Sequence, residues 1–277
     1  MRRWLAAAAL FLAAAPALDA QISGYFGQNQ VQYRKFRWQV LRTAHFDVHY
    51  YPELEEVARY TGQMAERSYE RLRRVFGHEF RERKPIIIWG SRNEFAQNNV
   101  IGDAGEGTLG VTDALRQRNM FFFAGDMRQS EHTLTHEMVH VFQYDIFARG
   151  RAGSNLQALA QVAPPLWFME GMAEYLTNGP GHKATDAVMR DAALNGNIPS
   201  VEAMTIRPDL FFPYRFGESF WEYVASRWGD EVVGEVMNAA VSLGIERAFR
   251  RYTGTDLEDL GEEWKEYVQN RFLPGIA

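Results

Sequence analysis

Apolar positions alternate early in the chain and recur every three or four residues later on. Phe46-Asp47-Val48-His49-Tyr50 alternates as a half-buried strand does, and Pro52 ends it. Leu54, Val57, Ala58, Met64, Ala65 and Leu72 share one helical face, which predicts an amphipathic helix over 54–76 stopped by Gly77. Residues 85–89, Pro-Ile-Ile-Ile-Trp, read as a short buried strand closed by Gly90. Residues 91–100 suggest a helical turn, and a glycine-rich loop follows over 102–110. Residues 110–112 and 119–124 read as two strands with the spacing of a hairpin. A helix is then predicted over 127–149, with Asp126 as N-cap, Gln129 three residues on and Gly150 just past the end. Further helices are expected over 166–176, 185–194, 216–228, 231–243 and 257–272, whereas 21–39 reads as an extended lead-in. Early strands followed by late helices give an α+β class, a small N-terminal mixed sheet leading into a mostly helical C-terminal half.

Composition narrows the possibilities. The chain has 277 residues, of which 46% are hydrophobic and 14% aromatic, ample for a sizeable core. No repeat or low-complexity linker divides it, so 21–277 is expected to form one domain. The formal net charge is −5 and no basic stripe appears, which argues against a nucleic-acid partner. The arginines between Arg67 and Lys84 are interspersed with Glu66, Glu70, Glu79 and Glu82, as on a solvated helix face. At the start, Arg2 and Arg3 precede an apolar run over 4–15 that is too short to span a bilayer. Small residues follow, with cleavage expected after Ala17 or Ala20. Residues 1–20 therefore read as a secretory signal peptide, and the remainder as an exported chain, periplasmic or extracellular, without stable membrane insertion. The chain has no cysteine, so stability is expected from packing and in part from a bound metal.

Candidate chemistry sits inside the predicted helix 127–149. His136 and His140 are one turn apart, and Glu137 directly follows the first. Residues four apart on a helix lie on one face, about 6 Å apart along the axis, so both imidazoles can address one ion. A catalytic zinc needs a third protein ligand and one open position. His132 shares the face, but it stands about 12 Å along the axis from His140 and reads as a polar neighbour. A glycine and a histidine three and six residues after His140 would extend the motif, but Gln143 and Ile146 stand there. The remaining source is Trp167-Phe168-Met169-Glu170-Gly171-Met172-Ala173-Glu174-Tyr175-Leu176, where two acids share one face of an apolar helix. A carboxylate among such residues is costly unless paired or metal-bound. Glu170 as ligand, with Glu174 holding the free N–H of a ligand histidine, relieves both burials.

Those two motifs, His-Glu-Met-Val-His followed by Trp-Phe-Met-Glu-Gly-Met-Ala-Glu-Tyr-Leu, resemble the gluzincin metallopeptidases. The resemblance implies Zn²⁺ held by His136, His140 and Glu170, Glu137 as catalytic base, and Glu174 bonded to the first histidine. The gap between the motifs is longer than in the thermolysin and aminopeptidase branches, which implies an insertion over 150–165. The segment 213–229, beginning Pro213-Tyr214-Arg215-Phe216-Gly217, resembles a Tyr-x-x-Gly segment whose tyrosine stabilises the oxyanion, and Tyr214 takes that position. Tyr144, one turn after His140, is the runner-up. The exported portion looks like a peptidase-MA-like domain of bacterial envelope proteins, relatives of which often carry a C-terminal β-propeller.

On this resemblance the chain is expected to hydrolyse peptide bonds in a peptide or protein substrate. The substrate-holding Gly-x-Met-Glu-Asn element of related aminopeptidases is not found. Gly105-Glu106-Gly107 is the nearest acid-bearing loop, which favours an endopeptidase. The strand over 119–124 is expected to offer an edge to an extended substrate, or else to be an interior strand. The competing reading is a non-catalytic metal-binding interaction or assembly module of the envelope.

Overall fold

A computed structural model of the protein describes residues 31–100, 107–149 and 162–273. The expected signal peptide, the Gly105-Glu106 stretch and the expected insertion up to residue 161 lie outside these residues. The described chain is α+β: five strands form one mixed sheet and the rest is mostly helical. The strands are β1 (Gln39–Arg42), β2 (Phe46–Tyr50), β3 (Lys84–Trp89), β4 (Gly110–Asp113) and β5 (Arg118–Phe122). Their order is β1-β2-β3-β5-β4. The two outer pairs run antiparallel and the two inner pairs parallel.

This order decides between the two readings of the 119–124 strand. The strand of residues 119–124 is interior, paired with β3 and β4, and among the described residues β4 is the outer strand beside it. Burial explains why: Met120 and Phe121 are both fully buried, one on each face of the sheet, which suits a strand covered on both sides. The hairpin itself is as expected. Asp113 closes it, with one carboxylate oxygen accepting from Leu115 N and the other pairing with Arg118.

Long helices cover the inner face of the sheet. α1 (Glu55–Phe76) ends at Gly77, whose φ of 55° is the left-handed turn that glycine adopts readily. After the short α2 (Arg92–Phe95) and the hairpin comes α3 (Met127–Arg149). Asp126 Oδ1 accepts from Arg128 N and Gln129 N at its start, as the N-cap reading requires. Residues 133–147 of α3 are all buried. Phe46, Val48, Ile86, Ile88 and Phe121 of the sheet are fully buried in the same core as Leu134, Met138 and Phe142 of α3. A helix enclosed on every side must satisfy its polar side chains internally. Thr135 does so with Ser68 of α1 at 2.9 Å, and Asp145 with His78 and Lys84 at 2.6 and 2.7 Å.

The second half holds α4 (Leu166–Asn178), α5 (Lys183–Leu194), α6 (Val201–Ile206), α7 (Pro213–Trp228), α8 (Glu231–Leu243), α9 (Ile245–Thr253) and α10 (Leu257–Phe272). Trp167, Phe168, Phe220, Trp221, Phe249 and Trp264 form its aromatic centre, each under 2% exposed. Burying each such ring contributes on the order of 2 kcal/mol. Three elements went unpredicted: β1, α6 and α9. α7 starts three residues earlier than expected, because Pro213 sits in its first turn, where a proline loses no hydrogen bond. Tyr214 is thus part of α7. No helix among the described residues is long and apolar enough to cross a membrane.

Candidate metal centre

Two helices carry the cluster and a third closes it. α3 brings His136, Glu137 and His140, α4 brings Glu170 and Glu174, and α7 brings Tyr214. Where α4 meets α7, the contact is backbone to backbone. A Cβ on Gly171 would stand 2.4 Å from Cα of Gly217, and one on Gly217 would stand 2.4 Å from the Trp167 carbonyl oxygen. No side chain fits between them. The contact fixes Tyr214, one turn before Gly217, against the helix bearing Glu170, the neighbour of Gly171.

His136, His140 and Glu170 each offer one ligand atom within 4.8 Å of the others, and all three residues are buried. Oε2 of Glu170 lies 3.3 Å from Nε2 of His136 and 3.1 Å from Nε2 of His140. Two ligand atoms at zinc bond lengths of 2.0–2.1 Å in tetrahedral geometry stand about 3.3 Å apart. The far sides of the rings are also engaged. Nδ1 of His140 meets Oε1 of Gln143 at 2.7 Å, while Nε2 of Gln143 donates to the Met169 carbonyl at 3.1 Å. That second bond orients the amide, so the histidine nitrogen must be the donor. Nδ1 of His136 lies 3.1 Å from Oε1 of Glu174, an ion-pair distance set off the line of a straight hydrogen bond. Both rings turn Nε2 toward one carboxylate oxygen. Acceptors at such distances need a cation or a proton between them, and the three residues could hold a metal ion.

The charges agree. Glu137, Glu170 and Glu174 are 7%, 9% and 5% exposed, and among the described residues Arg215 is the only permanent cation paired with any of them. Burial works against a charged Glu170, yet His140 and His136 hold its carboxyl below the usual range. Burial likewise opposes a charged Glu174, which His136 and Arg215 hold down to about 2. Burial also disfavours charge on both histidines, and the facing carboxylates raise them nonetheless. The site attracts positive charge. Burial pushes Glu137 up from the ordinary carboxylate value. Its Oε2 lies 2.6 Å from Oγ1 of Thr112 on the edge strand β4, and the same hydroxyl is 2.9 Å from the Glu137 carbonyl oxygen.

Tyr214 stacks on His136 with ring centroids 5.9 Å apart. Burial, then Glu170 and Glu137, push its phenol far above the ordinary value, so it stays protonated and can donate. Tyr144 is also close, its ring stacked 6.2 Å from that of His140. His132 bonds Asn178 at 3.0 Å and stays out of the ligand set. A second grouping, Glu174, His182 and Glu218, also converges. There Nη1 of Arg215 lies 2.8 Å from Glu174, 3.0 Å from Glu218 and 3.2 Å from His182, so a guanidinium already supplies the positive charge.

Every site residue expected from the sequence is brought together. Sequence reasoning missed Gln143, Thr112 and Arg215. Gln143 had a signal, since it lies one turn from His140 on the same helix. Thr112 had none, because only the fold of the hairpin lays it on α3. Comparison of the chain with models of known protein families and with curated proteins finds no match.

Proposed function

We propose that the chain is an exported, zinc-dependent endopeptidase of gluzincin type. The observation that carries this is the convergence of two Nε2 atoms on one buried carboxylate oxygen, at 3.1 and 3.3 Å, with both Nδ1 sides already facing acceptors. His136, His140 and Glu170 would hold the ion, which when bound makes a water nucleophilic near neutral pH and polarises a carbonyl.

The chain's own groups supply the rest. Glu137 follows a ligand on the same helix, buried and unpaired with any cation, and so is suited to accept a proton from the attacking water. The same carboxyl then passes that proton to the leaving amine. Tyr214 donates a hydrogen bond to the carbonyl oxygen as charge builds on it. Glu174 and Gln143 orient the two imidazoles, and Arg215 keeps Glu174 ionised. The edge of β4, outermost among the described residues, gives an extended peptide a strand to pair with, directly beside Glu137.

The test is zinc content per chain together with hydrolysis of an unstructured protein such as casein. Wild type is expected to bind one zinc and cleave casein. Glu137→Gln should keep the zinc and lose cleavage. Zinc bound with no cleavage by either form would favour the non-catalytic envelope module, and no zinc would remove both readings.

A further inference from the structure

The edge strand β4 touches the catalytic helix at alternate residues. Gly110 sits so close that a Cβ there would stand 2.7 Å from Cγ2 of Thr133 and 3.1 Å from Cγ of Glu137. Two residues on, and so on the same face of the strand, Thr112 places its hydroxyl 2.6 Å from Oε2 of Glu137 and 2.9 Å from the Glu137 carbonyl oxygen, so its single proton is shared between them with the carboxylate the nearer acceptor. One residue thus confines the Glu137 stem while the other binds one of its two oxygens. No other hydrogen bond to the Glu137 carboxylate occurs among the described residues.

The geometry points to Thr112 as the positioning residue of Glu137. Its hydroxyl ties down Oε2, which leaves Oε1 as the oxygen that faces the reaction and carries the proton. A glutamate side chain has three rotatable bonds, and a carboxylate free to turn would spend much of its time off line. Because Thr112 belongs to the strand that would pair with the substrate, the strand's seating and the aim of the base are set by the same two residues. This inference rests on the peptidase reading for its catalytic consequence, and on the contacts of Gly110 and Thr112 for the position of the carboxylate.

Thr112→Val removes the hydroxyl and keeps the shape and strand preference, whereas Thr112→Ser restores a hydroxyl. With casein-derived peptides, Thr112→Val is expected to lose roughly 10- to 100-fold in kcat, as for a hydrogen bond to a charged group. KM should stay within about twofold of wild type, and zinc content and melting temperature should not change. Thr112→Ser should recover to within about threefold of wild type. A merely structural role would lower the melting temperature and leave kcat per folded molecule alone. Full kcat in Thr112→Val, or no recovery in Thr112→Ser, overturns the proposal. A crystal structure of Thr112→Val separates this idea from the function it rests on. The Glu137 carboxylate should leave its present position, and if it stays, Thr112 does not hold it, whether or not the wild type cleaves peptides.

Discussion

At the scale of single residues, His140 shows why a cation would suit the proposed centre. Its Nδ1 donates to Gln143, and its Nε2 faces an oxygen that has no proton to give. His140→Ala should therefore lose bound zinc and activity together, and full metal content in that variant would refute the ligand set. Glu174→Gln should keep the fold and weaken zinc affinity by roughly 10- to 100-fold, as measured by competition with a chelating dye. Tyr214→Phe removes only a donor, so kcat should fall by roughly 10²–10³ with zinc unchanged. The cluster of His136, His140, Glu170 and Glu174 was legible because helical spacing places acids and imidazoles on shared faces. Arg215 was not, because nothing in Pro213-Tyr214-Arg215 says that α7 will cross α4 at Gly217.

At the scale of elements, two contacts hold the site together. The first is the Gly171–Gly217 crossing. Gly217→Ala inserts a methyl where a carbonyl oxygen stands 2.4 Å away, so α4 and α7 must separate. A cost of about 1–3 kcal/mol is expected in chemical denaturation, and Tyr214 should move off His136. The second is the buried knot at the far end of α3. Burial raises the Asp145 carboxyl, but His78 and Lys84 more than offset this and hold it below the usual carboxylate range. A carboxyl depressed in the folded state contributes stability that is complete above its unfolded value, near about 4, and is lost as pH falls through the folded value. Wild-type stability should decline from about pH 4 downward, and Asp145→Asn should flatten that decline while costing roughly 3–5 kcal/mol at neutral pH, because Lys84 is left buried without a counter-charge. The pattern of apolar positions found most helices within a few residues, since their faces are long. It missed α9, whose nine residues carry four charges, and it left β5 open between edge and interior because periodicity carries no information on strand order.

At the scale of the molecule, the centre joins the two halves of the fold. α3 packs on the sheet and α1, and it meets the helical half mainly through α4. A cation shared by His136, His140 and Glu170 would bridge that junction. Binding to the folded chain alone stabilises it by mass action, by about 4 kcal/mol at a thousandfold excess over Kd. A chelator should accordingly lower the melting temperature, and added zinc should restore it. The α+β class followed from the order of alternating and helical segments, but the meeting of two motifs some thirty residues apart depends on tertiary contacts that no local pattern encodes.

The most direct test is an anomalous-difference map collected at the zinc absorption edge, on crystals grown with zinc. It should show one strong peak at about 2.0–2.2 Å from Nε2 of His136, Nε2 of His140 and a carboxylate oxygen of Glu170. A map without density among those atoms, or with its zinc bound elsewhere on the chain, would contradict the account.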